Sequence, residues 1–226
     1  PLPPFDVPGG KLSGRLRERN GCFNLNHLVV GGVEDPLARR RFERLLRALK
    51  LPPELADAVI DYVDADSEPG RRGAEDMAYL LANPARRAAN QAFVHVSELR
   101  LVRGVDEDAF RALAPHVCAN PEGSGINVNT ATPAVLMSLV ENLDEARARQ
   151  LNEDGKARMS SIEAFDGQLR QFGLVLDGGP VQVGVASDQF LAEALIELDG
   201  VPFRYFSRIA REQQGHRVVY RSRGVD

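Results

Sequence analysis

Apolar positions recur at helical spacing between Asp35 and Val63, with Phe42, Leu45, Leu46 and Leu49 on one segment and Leu55, Val59, Ile60 and Val63 on the next. Leu51-Pro52-Pro53 interrupts them, so the pattern predicts two helices joined by a short proline turn. Glu75 to Leu81 reads as a further short helix. Ser97 is placed to cap residues 98–103, Gly104 to stop them in a left-handed turn, and Asp106 to cap a helix running through Phe110 and Leu113. The arrangement recurs: Thr132 caps, Pro133 takes the first helical position, Asn142 turns, and Asp144 opens a helix to Leu151. Ser161 opens another, with Ile162, Phe165, Leu169 and Phe172 at helical spacing.

At Asp177-Gly178-Gly179-Pro180 the period changes from helical to alternating. Val181, Val183 and Val185 alternate first, followed by Phe190 to Leu198, by Phe203, Tyr205, Ser207 and Ile209, and by Val218 to Arg221. Asp199-Gly200 and Gln213-Gln214-Gly215 are turn chemistry between strands. An antiparallel meander is therefore expected at the C-terminus, and one strand within residues 1–26. Strands at both ends of a helical stretch make the chain α+β, one sheet domain with a helical insertion. The expected divisions are 1–28 and 179–226 for the sheet and 29–178 for the insertion.

With 226 residues, 43% hydrophobic, 27% charged and a net charge of -4, the chain has globular values. No stretch reaches the roughly 18 apolar residues of a membrane helix. Pro1-Leu2-Pro3-Pro4 is neither a translation start nor a signal peptide, so a segment upstream is expected to have been removed. A sequence pI near 5.7 without a basic tail disfavours DNA as a partner, because non-specific affinity comes from Lys and Arg displacing phosphate counterions.

The charge is unevenly placed. Between residues 61 and 76 stand Asp61, Asp64, Asp66, Glu68, Glu75 and Asp76 against Arg71 and Arg72, while the other 26 acids and 26 bases cancel. Oxygen-rich clusters suit a hard cation such as Ca2+. An EF-hand counted from Asp64 fails, because Pro69 falls where the loop needs the turn of a glycine. Two readings remain, a calcium loop of another geometry or a solvated acidic loop whose carboxylates cap helix starts. Cys22 and Cys118 match no zinc spacing and no redox motif; they would pair in an exported protein and stay as buried thiols in a cytosolic one.

Leu99–His116 and Ile126–Leu151 are similar to helix-hairpin-helix units, which offer backbone amides to DNA phosphates. Here Gly104-Val105 is followed by Asp106, an acid where a phosphate would approach. No catalytic constellation is present: His27, His95, His116 and His216 are scattered, and Glu122-Gly123-Ser124-Gly125 lacks the nucleophile elbow.

Four motifs in order, Cys22-Phe23-Asn24-Leu25-Asn26-His27-Leu28, Ile60-Asp61-Tyr62-Val63-Asp64-Ala65-Asp66, Gly73-Ala74-Glu75-Asp76-Met77-Ala78-Tyr79 and Asn127-Val128-Asn129-Thr130-Ala131, resemble the K-type minor pseudopilins of the bacterial type II secretion system. The resemblance covers nearly the whole chain. It implies a pseudopilin-like antiparallel sheet with a large inserted α-helical domain, a Cys22–Cys118 disulfide, and calcium near the acidic segment, with Asp61, Asp64, Asp66, Glu75 and Asp76 on the family's motif and Glu68 second to them. It further implies a structural, non-catalytic role at the tip of the periplasmic pseudopilus, beside other minor pseudopilins and without nucleic acid. The family's N-terminal hydrophobic helix, its anchor in the inner membrane, is absent from these residues. A helix-hairpin-helix DNA-binding protein of the competence type is the alternative.

Overall fold

The computed structural model describes residues 2–224, apart from the side chain of Asp154. In chain order it begins with β1 (Leu2–Val7), β2 (Gly10–Glu18), β3 (Phe23–Asn24), β4 (Val29–Val30) and β5 (Val33–Glu34). Helices α1 (Pro36–Ala48), α2 (Leu55–Asp61), α3 (Asp76–Leu80) and α4 (Glu107–Leu113) follow, then β6 (Val117–Cys118) and β7 (Ile126–Asn127). The chain continues through α5 (Pro133–Leu139), α6 (Glu145–Asn152), α7 (Ile162–Gln171) and β8 (Val183–Gly184), and ends with β9 (Gln189–Leu198), β10 (Val201–Glu212) and β11 (Gly215–Arg223). It forms two compact units, one of residues 1–19 with 187–226 and one of residues 20–186. No helix among the described residues is long and apolar enough to cross a membrane.

The first unit is a five-stranded antiparallel sheet in the order β1-β2-β9-β10-β11. Its register aligns Phe5 with Leu12, Leu12 with Ile196 and Ile196 with Phe203, a row of apolar side chains on one face. A slip of one residue would turn that row over, so the alternation fixes the pairing. The N-terminus supplies a hairpin where one strand was expected. Pro3 and Pro4 fit there because β1 is an edge strand and its register shifts between Leu2 and Phe5. Asp199 and Gly200, both with positive φ, close the expected β9–β10 turn.

The second unit is helical around a buried core that includes Phe42, Leu45, Leu46, Val59, Leu99, Leu136, Leu139 and Leu169. The expected helix starts at Asp106, Thr132, Asp144 and Ser161 are present, and Asp35 caps α1, each side chain accepting from an amide of the first turn. Ser97 is not the cap of its segment. His95 accepts from the Ser97 amide and Glu98 reaches back to the His95 amide, and the turn they begin, Val96–Leu101, is a 3-10 helix.

Unit boundaries fall at 19/20 and 186/187 instead of 28/29 and 178/179. Side-chain hydrogen bonds draw both flanks into the helical unit. The Asn20 carbonyl accepts from Asn127 N and its amide donates to Gly125 O; β3 pairs parallel with β6; and Cys22 and Cys118 are joined as a disulfide. At the other flank the buried Arg41 donates to the carbonyls of Val181, Asp177 and Gly179, and Arg44 holds the Asp177 carboxylate at 2.6 Å. Only Val183–Gly184 of the expected strand around Val181 to Val185 forms, parallel to β7.

The asparagines of the quoted motifs are fold staples. Asn24 Oδ1 accepts from the amides of Asn26 and Asn120, and its side-chain amide donates to Pro121 O. Asn26 bonds both the amide and the carbonyl of Phe93 and also the Asn120 carbonyl. Asn129 accepts from Met159 N and donates to the Met159 and Val185 carbonyls. Loops without ladders meet their backbone hydrogen-bond requirement through these side chains.

Candidate metal site

Helix α2 carries Asp57 and Asp61 four residues apart, which places both carboxylates on one face. Asp64 follows in one further turn, its amide bonded to the Ile60 carbonyl. The 65–75 loop then returns so that Glu75 stands ahead of α3 with extended backbone and no capping bond from its side chain. Asp64, Asp66 and Glu75 each present a carboxylate oxygen, and these atoms lie within 4.8 Å of one another. Asp64 and Glu75 are buried and Asp66 is exposed, so the cluster opens on one side.

Two buried hinges hold the loop in that course. Asp61 Oδ2 accepts from Gly70 N at 2.9 Å, and Gly73 comes so close that a Cβ there would lie 1.7 Å from the same oxygen. Asp57 Oδ2 accepts from Arg72 N at 3.0 Å while its other oxygen meets the Arg39 guanidinium. Asp76 turns outward, accepting from Ala88 N at 3.0 Å and lying 3.7 Å from Arg87. Of the five carboxylates on the acidic motif, the fold thus converges Asp64, Asp66 and Glu75 and engages Asp61 and Asp76 with backbone amides. Glu68 is exposed, its amide closing a turn on Asp66 Oδ1.

The electrostatics of the three converging groups are unfavourable without a cation. Burial, then the facing carboxylate of Asp64, pushes Glu75 up to about 7. Burial, then Asp66 and Asp61, pushes Asp64 up to about 6. Asp61 also rises through burial, against the pull of the Gly70 and Ala74 amides. Asp64 Oδ1 and both oxygens of Glu75 are buried without a hydrogen-bond partner among the described residues. Buried anionic oxygens of this kind are costly unless something positive meets them. The donor set is all oxygen, which fits a hard cation such as calcium.

Asp57 was not among the expected site residues. Its spacing of four from Asp61 and seven from Asp64 on one helical face was the available signal.

The three histidines of the helical unit each have a separate local partner. His27 Nε2 lies 2.9 Å from the Ser124 carbonyl, His116 Nδ1 meets Thr132 Oγ1 at 2.8 Å, and His95 is a cap. Asp106 Oδ1 accepts from Ala109 N and Asp144 Oδ1 from Arg147 N, each at 2.8 Å. Both hairpins therefore fill with a carboxylate the helix start that a DNA phosphate would need, and the DNA-binding alternative has no support.

Two families, each described as "Type II secretion system (T2SS), protein K", match residues 21–122 and 126–185. Type II secretion system protein K of Pseudomonas aeruginosa is 38% identical over 200 residues, which cover 85% of this chain and 60% of that protein. The proteins of the same name from Pectobacterium carotovorum and Klebsiella pneumoniae are 32% and 31% identical, covering 95% and 98% of this chain and 74% and 72% of theirs. This chain thus spans about 60% of the length of the Pseudomonas relative. A chain in the crystal structure of the GspK-GspI-GspJ complex from the enterotoxigenic Escherichia coli type 2 secretion system matches with a TM-score of 0.78 at 26% identity, over 100% of this chain and 84% of that one. Matches over both the sheet unit and the helical unit, with identities above 30% across most of its length, establish that the chain belongs to the type II secretion system protein K family.

Proposed function

We propose that this chain is the periplasmic part of a minor pseudopilin that sits at the tip of the type II secretion pseudopilus and joins other minor pseudopilins there. Its role is assembly of the export machine, without catalysis, and an N-terminal helix outside these residues anchors the whole protein in the inner membrane. The observation that carries this reading is the match, over the full length of this chain, to a structure solved as a K–I–J complex. A physical argument supports the tip position. Residues 20–186 are inserted between β2 and β9, and an insertion of that bulk is harder to repeat along a filament shaft than to carry once at its end. The sheet unit leaves Leu2, Phe5, Leu16, Val201, Tyr205 and Tyr220 exposed, which is apolar area for further subunits to cover. The Cys22–Cys118 disulfide suits an oxidising compartment.

Calcium binding belongs to the same proposal. Asp64, Asp66 and Glu75 would hold the ion, with Asp57 and Asp61 fixing the loop that presents them. The cation would supply the positive charge that the three carboxylates lack. Size-exclusion chromatography of this chain with the soluble domains of candidate I- and J-type pseudopilins tests the assembly reading, and a co-eluting complex is expected. Failure to associate with either, alone or together, would overturn it, as would sub-micromolar binding of duplex DNA that weakens steeply with salt.

A further inference from the structure

We infer that a groove between the start of α2, the 71–73 turn and the Gly104 turn docks an acidic peptide segment that carries an apolar residue beside its carboxylates. The groove measures about 460 Å³ and adjoins a second hollow of about 320 Å³, sharing Glu54, Arg71 and Arg72 with it. Pro52, Leu55 and Ala58 give it an apolar lining, and three arginines, Arg71, Arg72 and Arg103, are among the residues that line it.

Charge complementarity selects the occupant. Across the helical unit most arginines are spent on ion pairs, as in Arg39 with Glu34, Glu43 and Asp57, or Arg44 with Asp177. In the groove, Arg71 and Arg103 have no ion pair among the described residues, and Arg72 approaches Glu54 only to 3.8 Å. A chain of net charge -4 therefore gathers an excess of positive charge at one concave place, from segments some thirty residues apart.

The backbone that carries these arginines is already held. Arg72 N donates to Asp57 Oδ2 at 3.0 Å, Gly73 N to the Gly70 carbonyl at 3.0 Å, and Arg103 N to Tyr79 Oη at 3.1 Å. Gly104, at φ +85°, lets the turn approach Leu55, whose Cδ2 would lie 3.1 Å from a Cβ at that position. A groove organised before binding loses less entropy on docking. Nucleic acid fits less well, because none of the described residues that line the groove is aromatic and base stacking has no platform there. A small anion would leave the apolar lining unused. The inference rests on the groove alone and stands independently of the tip reading.

Fluorescence polarisation with short labelled peptides tests it, using the 226-residue chain. One peptide carries two glutamates beside a leucine and a second replaces both glutamates with glutamine. Single-stranded DNA of similar length and inorganic phosphate complete the set. The acidic peptide is expected to bind, to weaken with added salt, and to lose about tenfold in affinity when Arg71→Glu and Arg103→Glu are combined. The milder pair Arg71→Gln and Arg103→Gln should weaken it in the same direction, and Leu55→Ser should weaken it without changing the salt dependence. Unchanged thermal unfolding of the glutamine variants keeps a folding defect from mimicking the result. Equal binding of the glutamine peptide, full displacement by millimolar phosphate, tighter binding of the DNA, no detectable binding of the acidic peptide, or indifference to the arginine variants would each overturn the inference.

Discussion

Replacing Glu75 with glutamine removes one of three crowded carboxylates while keeping the shape of the side chain. In the metal-free protein Glu75 titrates near 7 against an ordinary 4.5. Between those two pH values the native state holds a proton that the unfolded chain has released. Stability of the metal-free parent therefore falls as pH rises through that window and levels off above about 7. At about 1.36 kcal/mol per unit the full difference is on the order of 3 kcal/mol. That figure is an upper bound, because Asp64, pushed up to about 6, titrates against the same repulsion and the two contributions do not add. In chelator at about pH 8, Glu75→Gln should thus be more stable than the parent by on the order of 1–3 kcal/mol, with the gap closing towards about pH 4.5.

Calcium should reverse the order. The parent gains RT ln(1 + [L]/Kd), about 2.7 kcal/mol at a hundredfold excess over Kd, and the variant gains much less. Magnesium should help the parent little, since it keeps its waters in a small octahedral shell. Urea denaturation of parent and variant across this pH range, in chelator, calcium and magnesium, gives difference curves from which His27 and His116 cancel. Parallel pH profiles in chelator, or equal gains from calcium in both proteins, would refute the reasoning and leave residues 61–76 as a solvated acidic loop.

Opening the Cys22–Cys118 bridge with the double serine variant releases a loop of 96 residues, and the chain-entropy argument sets the loss at about 4–5 kcal/mol; a denaturation midpoint that barely moves would contradict it. Gly73→Ala forces a methyl to within 1.7 Å of Asp61 Oδ2, so it should cost about 1–3 kcal/mol by overpacking and weaken calcium binding, both readable from the same melts. His27 is buried beside the Ser124 carbonyl and, chiefly through burial, titrates near 4 against an ordinary 6.5. The unfolded chain therefore binds the extra proton first, and stability is lost as pH falls from about 6.5 to 4, by roughly 3 kcal/mol. His27→Gln should flatten that acid limb, and an unchanged limb counts against the assignment. Asn26→Ala leaves the Phe93 amide and the Asn120 carbonyl without their buried partner, and about 2–3 kcal/mol should disappear in denaturant titration.

Much of the secondary structure was legible because its signals are local. Helix starts at Asp106, Thr132, Asp144 and Ser161 announce themselves by residue type one position ahead of an apolar period, and the Asp199-Gly200 turn needs only two residues of positive φ. Alternating residue types marked β9 to β11 for the same reason, since successive side chains of a strand point to opposite faces and a change of type every two residues needs only neighbours to be read. The N-terminal hairpin reads as one strand in the sequence because its prolines weaken the pattern, a weakness that an edge position tolerates.

What the sequence determined by itself was the concentration of acids between residues 61 and 76, the two cysteines, and the order of motifs that marks the family. Only the tertiary structure decided how those acids divide. Asp61 and Asp76 are satisfied by the amides of Gly70 and Ala88, contacts set by how the loop folds back, while Asp64 and Glu75 are buried with oxygens that nothing meets. The unit boundaries were likewise invisible beforehand, because Arg41 and Asn20 reach residues more than 100 positions away. The same holds for the basic groove: Arg71 and Arg103 lie 32 positions apart in an acidic chain, and only the fold brings them to one groove. Helical and strand periods are written in neighbours, whereas carboxylate pairing, burial and groove charge depend on which distant segments the core brings together.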